Sequence, residues 1–329
     1  LIFDPTPITV LMSVYNGKKW LEEAISSIVA QTFTDFEFIV VDDGSIDDSL
    51  SIAQSWARKD DRIAVFSKTN TGLTDSLNFG LVKASGTWIA RQDADDVSAP
   101  DRLERQFLTV SRNPRLVLLG TSFSLIDANG INGKYYSQPE CHKRLKARLV
   151  SGGRFFPHSS AMFRRDAAMN VGCYRRRFDR SQDRDLWLRL SQYGEIGCLN
   201  ENLVGIRKHS TQISNQDGGR TQRLCSLMSL TSNCLRGRKM EDPVDANEEV
   251  YGRFKAWLEK HPSVTRLIEA EEAFSKVRAS ANNEDFTKFN RMKTAILLSV
   301  IGFRALLVRV SIPRMVRSIA AEWSGRNKS

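Results

Sequence analysis

Apolar positions along the first half of the chain alternate between two spacings. Residues 8–14 (Ile-Thr-Val-Leu-Met-Ser-Val) form a short run without helical spacing and read as a buried strand. Tyr15-Asn16-Gly17 follows as a turn. From about Lys18 to Ala30, Leu21, Ile25, Ile28 and Val29 return on one helical face. The pattern then repeats, with a strand from Phe36 to Val41 and a helix carrying Leu50, Ala53 and Trp56 that Ser45 or Asp47 is placed to cap. A short strand at residues 63–66, a helix from about Leu73 to Lys83 and a strand from Thr87 to Ala90 complete the series. Strands and helices that alternate at these lengths predict βαβ units and an α/β fold with a mostly parallel sheet.

Beyond a helix from Pro100 to about Ser111 the texture changes. Leu116 to Leu119 reads as a strand, and Ser122 to Tyr136 as a hairpin turning around Asn129-Gly130 and Asn132-Gly133. His142 to Val150 reads as a helix, Ser159 to Arg164 as extended, Asp183 to Tyr193 as a helix, and Ile196 to Arg207 as two short strands. From Gly218 onward the pattern is helical. Three regions are predicted: 1–115, 116–217, and a helical region over 218–329 that ends in a basic tail.

Charge sharpens the last of these. The 329 residues carry a net charge of +10, a balance that invites a nucleic-acid reading. Between Phe286 and Ser329, however, nine Lys or Arg face one acid, so eight of the ten charges belong to the tail. That points away from nucleic acid and towards a local contact with anionic lipid. The most apolar tail run, Ala295 to Phe303, ends at Arg304 and falls short of the roughly 20 residues a spanning helix needs, so the tail is expected either to touch the membrane peripherally or to dock against the body or a partner. Five cysteines without a C-x-x-C pair, and a start rich in proline and acid, predict a cytoplasmic chain, at most peripheral on the inner face of the membrane.

In a parallel sheet the loops leaving the carboxyl ends of the strands form the ligand crevice. Three polar clusters stand at those ends: Ser13, Tyr15 and Asn16; Asp42-Asp43-Gly44-Ser45; and Arg91-Gln92-Asp93-Ala94-Asp95-Asp96. Carboxylates one residue apart, such as Asp93 and Asp95, can share a hard cation such as Mn²⁺ or Mg²⁺, which would neutralise a departing diphosphate. Asp96 and Ser98 read equally well as caps for the helix at Pro100. Asp43 can accept the imino proton of a base, with Gly44 allowing the turn, although a capped turn explains the same residues. In Gln182-Asp183-Arg184-Asp185-Leu186-Trp187, Asp183 is a candidate general base and Asp185 a second; an acid stabilising its own helix dipole fits the same spacing. His209 can supply a further metal ligand or meet a diphosphate oxygen, and His158 can line an acceptor site. Arg175-Arg176-Arg177 with Arg180 can meet an acidic acceptor or form a solvated loop.

Together the stretches ITVLMSVYNGKKWLEEAISSIVAQ, FEFIVVDDGSID, Asn70 to Gly80, GTWIARQDADDVSAPDRLERQ and Gln182 to Gly194 resemble the family 2 glycosyltransferases, which have the GT-A fold, over about two-thirds of the chain. The resemblance implies an inverting transfer of a sugar from a nucleotide-diphosphate donor, UDP-linked for preference, to a hydroxyl of a saccharide or lipid-linked acceptor. The setting implied is bacterial cell-surface or extracellular polysaccharide synthesis, with Mn²⁺ or Mg²⁺ as cofactor and no nucleic-acid partner. On this resemblance residues 1–115 form the nucleotide-sugar half and 116–217 the acceptor half of one domain. Ser13, Tyr15 and Asn16 line the nucleotide pocket, Asp43 contacts the base, and Asn70 and Gly72 lie along the nucleoside. Asp93 faces ribose and metal, Asp95 ligates the metal, His209 closes over the diphosphate, and Asp183 is the catalytic base. Gln182 and Trp187 fall with His158 on the acceptor side. Gln182 departs from the family, which carries Glu there, and keeps open a sugar-nucleotide-binding protein with lost catalysis. A nucleotidyltransferase is the remaining alternative, but Tyr15-Asn16-Gly17-Lys18 is too thin for a triphosphate-binding loop.

Overall fold

The computed structural model describes residues 6–209, 212, 217, 219–281 and 312–326. They fall into two compact units: residues 1–149 with 154–212, and residues 150–153 with 213–329.

The first unit is built on a nine-stranded mixed sheet. Its parallel part comprises β1 (Ile8–Val14), β2 (Phe36–Asp42), β3 (Ile63–Ser67) and β4 (Trp88–Asp93), which alternate with α1 (Lys18–Val29), α2 (Ser49–Ala57) and α3 (Leu73–Lys83). All seven positions of β2 are apolar or acidic, and nearly all are buried, as a strand covered on both faces requires. Leu21, Ala24, Ile25 and Ile28 give α1 one buried stripe, packed into the core formed by Val10, Met12 and Val40. A Cβ at Gly80 would lie 2.2 Å from Leu11, so this glycine sets how closely α3 approaches the sheet.

The second part runs through β5 (Val97–Ser98), α4 (Arg102–Arg112), β6 (Leu116–Ile126), β7 (Asn132–Tyr136), α5 (His142–Val150), a 3-10 turn at His158–Ser160, β8 (Met162–Arg164), α6 (Arg165–Asn170), α7 (Gln182–Tyr193) and β9 (Glu195–Arg207). The strand order is β3-β2-β1-β4-β8-β6-β9-β5, with β7 pairing β6 as the predicted hairpin. Three expectations change. β4 continues through Gln92 to Asp93, so the acidic run begins on the strand itself. β6 is one 11-residue strand rather than a short one. Residues 195–207 form one strand, not two; its pairing with β6 shifts register around Thr121, Ser122 and Phe123, and this irregularity is what reads as a break.

Register places the functional edge. Val14 lies opposite Asp42, and Ser13 opposite Asp93, so the three polar clusters leave the sheet side by side.

The second unit consists of α8 (Arg220–Gly237), α9 (Glu248–Lys260), α10 (Pro262–Ala281) and α11 (residues 312–326). In α11, Ile312, Val316, Ile319, Ala320 and Trp323 recur every three to four residues and are buried. Trp323 packs on Phe254 and Trp257 of α9 with ring centroids 5.0 and 5.4 Å apart. The apolar face of this part of the basic tail is therefore satisfied by protein. The apolar run at 295–303 lies outside the described residues; among those described, no helix is long and apolar enough to cross a membrane.

Candidate active site

The first wall of the crevice is made by the loops after β1 and β2. Asn16 takes the left-handed conformation (φ 51°), which asparagine tolerates better than most residues. Its side-chain oxygen accepts from the Ile46 amide at 2.9 Å, while its own amide donates to Ser45 Oγ at 3.0 Å. Gly17 N–H donates to Ser49 Oγ, and Lys18 N–H to Asp47. Ser45 and Asp47 thus lace two loops together, and Asp47 also accepts from the Ser49 amide (3.0 Å) at the start of α2, where Asp48 makes no side-chain cap bond. Tyr15 stands exposed at the rim.

Asp43 closes the inner end. It is buried, accepts from the amides of Thr71 (3.0 Å) and Gly72 (2.9 Å), and pairs with Lys68. The carboxylate thereby shapes the segment 68–72 that contains Asn70 and leads into α3. Gly44 is required here: its φ is +74°, and a Cβ would lie 2.8 Å from the Asn70 amide. Gly72, at φ +94°, borders open space.

The acidic turn forms the floor. Asp93 pairs with Arg91 and accepts from Ser159 Oγ at 2.7 Å. Burial opposes its charge, but Arg91 and Ser159 outweigh burial and hold its pKa below the ordinary value. Asp95 meets His209 Nε2 at 2.8 Å, and the His209 ring packs tilted against Trp20 with centroids 4.1 Å apart. Burial and then the Asp93 charge raise the pKa of Asp95. Asp96 is not a cap. It is buried, accepts from the Arg207 amide at 2.9 Å and meets Ser159 Oγ, while α4 begins after Asp101. Burial, Asp95 and Asp93 together raise its pKa well above the ordinary value. One serine hydroxyl has one proton, yet Ser159 Oγ meets two carboxyl groups. That single proton is given to only one of them at a time, so Asp93 and Asp96 compete for it.

A buried polar layer supports this floor. The Arg102 guanidinium donates to Gln92 Oε1 (3.0 Å), Ser98 Oγ (2.9 Å), the Arg91 carbonyl (2.8 Å) and Gln106 Oε1 (3.1 Å). Burial and the Arg91 charge lower its pKa to about 9. Arg207 reaches from β9 to the Asp95 carbonyl (2.8 Å), to Glu23 of α1 (2.6 Å) and to the Asp127 carbonyl in the hairpin (3.1 Å). Sequence reasoning missed Arg102, Gln106, Ser159 and Arg207 as parts of the site, and placed Arg91 and Gln92 in the third polar cluster without giving either a role. The available signal was Arg91-Gln92, two polar residues that follow the apolar start of β4 and precede Asp93.

The opposite wall is α7. Ser181, just before it, takes φ 55°, a left-handed strain on the order of 1–2 kcal/mol for a non-glycine residue. Asp183 is partly exposed and accepts from the Arg184 amide at 2.8 Å. Burial raises its pKa, and the charge of Asp93 adds to the rise against the lowering effect of Arg184. Two candidates change meaning. Asp185 is fully buried between Arg175 and Arg189 (2.7 Å), so it is unavailable as a base and accounts for part of the basic cluster. Trp187 is 1% exposed and packs on Phe163, Phe156 and His158, so it lies beneath the acceptor wall instead of on it. Gln182 is buried at the helix start, and His158 is buried behind Asp93. Asp185→Ala is expected to destabilise the protein by about 3–5 kcal/mol, because it leaves two buried guanidiniums without their acid; urea unfolding measures it.

Among the described residues no three His, Cys, Asp or Glu side chains cluster closely enough to hold a metal by themselves. His209 meets Asp95 of the acidic turn as a hydrogen-bond partner.

A parallel α/β edge that carries an acidic turn, faced by a helix-held carboxylate, is the build of a GT-A glycosyltransferase. Two solved structures share the fold: S. aureus TarS 1–349 in complex with UDP-GlcNAc (TM-score 0.58, 15% identity, covering 96% of this chain and 92% of that one) and the mannosyltransferase PcManGT from Pyrobaculum calidifontis in complex with GDP-Man and Mn²⁺ (TM-score 0.53, 17% identity, covering 100% and 89%). The O-antigen biosynthesis glycosyltransferase WbnJ of Escherichia coli is 34% identical over 215 residues, 63% of this chain and 82% of that protein. The glycosyl transferase family 2 model matches residues 9–172, and the chain belongs to that family. It is a glycosyltransferase, with relatives in bacterial polysaccharide biosynthesis.

Proposed function

We propose that the enzyme moves a sugar from a UDP-linked donor to a hydroxyl of a saccharide or lipid-linked acceptor, with inversion, in the synthesis of a bacterial cell-surface or extracellular polysaccharide. The observation that carries this reading is that Asp183 stands partly exposed at the start of α7, near enough to Asp93 for that charge to raise its pKa. A base and a leaving-group site within reach of one another are what a single displacement needs. The UDP-GlcNAc complex of a structural neighbour and the O-antigen role in a relative's name support the donor and the setting.

In this mechanism Ser13, Tyr15, Asn16, Asp43, Asn70 and Gly72 shape the nucleoside pocket, and Asp93 and Asp95 face the diphosphate. Burial raises the pKa of Asp95, and the nearby Asp93 charge adds to the rise. Two carboxylates of this kind suit Mn²⁺ or Mg²⁺, which bind through one or two carboxylates and complete their shell with phosphate oxygens and water. The cation, when bound, neutralises charge on the departing nucleoside diphosphate. Asp183 takes the acceptor hydroxyl proton as that oxygen bonds to the anomeric carbon and the bond to the diphosphate breaks on the opposite face. Gln182 falls on the side of Asp183.

The base must be ionised, and its pKa is raised by burial. Turnover is expected to be full above that raised pKa and to fall as pH drops through it, at a higher pH than the ordinary aspartate value of about 3.9. A pH profile of kcat shows this; a rate flat down to that value would contradict it. Incubation with a panel of nucleotide sugars and Mn²⁺ tests the function, and release of UDP from one donor is expected. Pyrophosphate release would instead indicate a nucleotidyltransferase, and binding without release a protein that has lost catalysis.

The basic tail is proposed to hold the enzyme on anionic lipid at the cytoplasmic face; Arg314 and Arg317 of α11 are exposed opposite its buried stripe. Truncation before Phe286 is expected to abolish flotation with anionic liposomes, and unchanged flotation would exclude this role.

A further inference from the structure

Behind the acidic turn, β4 carries a side chain with no exposed surface. Arg91 donates through Nη1 to the carbonyls of Leu11 (2.5 Å) and Gln92 (2.6 Å), through Nη2 to Asp93, and through Nε to His158 Nε2 at 3.1 Å. A guanidinium is a rigid planar fork, so fixing Nε fixes the direction from which Nη2 reaches Asp93. His158 Nε2 also meets the Tyr174 hydroxyl at 2.7 Å. Tyr174 is 2% exposed and anchored in turn: its amide donates to Asn78 Oδ1 (3.0 Å) and its carbonyl accepts from Asn78 Nδ2 (2.8 Å). A continuous line of hydrogen bonds therefore runs from Asp93 through Arg91 and His158 to Tyr174, in the segment that leads to Ser181 and α7.

We infer that His158 and Tyr174 are positioning residues for Asp93, acting through Arg91 to fix the carboxylate that faces the donor. This rests on the donor-side reading of Asp93 given above. It assigns His158 a task different from acceptor contact, which its 9% exposure and its packing between Trp187 and Tyr174 do not favour. The need for a histidine follows from Arg91. A buried, charged N–H must have an acceptor, and an apolar residue at 158 would leave it without one. Burial, and then the Arg91 charge, lower the His158 pKa to about 3, so the ring is neutral, and its Nε2 lone pair is shared between the Arg91 Nε–H and the Tyr174 hydroxyl. Tyr174 adds a second constraint on the ring and joins the donor floor to the base-bearing wall.

The test is calorimetry of UDP binding in MnCl₂. Tyr174→Phe and His158→Leu are expected to weaken UDP about fivefold to tenfold, whereas His158→Gln, which keeps an acceptor near Arg91 Nε, restores most of the loss. On an Asp93→Asn background Tyr174→Phe is expected to cost nothing more, since residues acting through one group are not additive. Wild-type UDP affinity in Tyr174→Phe, full additivity with Asp93→Asn, or failure of His158→Gln to recover binding would each overturn the inference. If His158→Leu does not fold, Tyr174→Phe decides alone, because it removes a single buried oxygen. Unchanged UDP binding in Asp93→Asn itself would sink the donor-side reading. Loss there with no effect of Tyr174→Phe would sink only the positioning role.

Discussion

Asp183→Asn is expected to lower sugar transfer by about 10²–10⁴-fold, the usual contribution of a general base, while UDP binds as it does to the wild type. The amide keeps the size of the carboxylate and retains an oxygen for the Arg184 amide, so the start of α7 should hold. What it lacks is the basic oxygen that removes the acceptor proton. Removing a charge that faces Asp93 also relieves repulsion in the crevice, so nucleotide affinity has no reason to fall. UDP release in the presence of acceptor, read beside UDP calorimetry, separates the two effects. Wild-type turnover in this variant would take the base role away from Asp183. Asp185 cannot inherit it, because two guanidiniums already hold it.

The second large effect belongs to Asp95→Ala. This change removes a carboxylate whose pKa burial and the Asp93 charge raise, and takes away one hydrogen-bond partner of His209. UDP affinity is expected to lose its dependence on Mn²⁺, and transfer to fall by on the order of 10²-fold or more, as when a diphosphate leaving group loses its counter-charge. Calorimetry with and without Mn²⁺ reads this directly. Equal enhancement by Mn²⁺ in wild type and variant would show that the cation binds elsewhere.

Much of this arrangement is legible in the amino-acid sequence. The alternation of apolar runs and helical faces in residues 8–90 gives the parallel strands, because buried strands and amphipathic helices leave different spacings. It also gives the shared edge, since strands in one parallel sheet end on the same side. What spacing does not show is which acids are shielded. Asp93, Asp95 and Asp96 look alike in sequence, yet Arg91 offsets the first, His209 meets the second, and Ser159 with the Arg207 amide encloses the third. Each partner lies far away in the chain or inside a strand, and only the fold brings them together. The same holds for Asp183 and Asp185: two residues apart on one helix, one faces the crevice and the other a pair of arginines. Trp187 illustrates the opposite case, in which an aromatic residue beside a candidate base reads as a sugar contact but is consumed by packing on Phe163 and Phe156.

The acidic turn as a diphosphate-facing cation site is the central claim, and diffraction from crystals soaked with UDP and MnCl₂ tests it most directly. An anomalous manganese peak is predicted between the Asp95 carboxylate and the UDP phosphates, within the crevice that Asp183 faces. UDP bound in the crevice with no manganese at Asp95, or manganese bound at another position, would contradict the account.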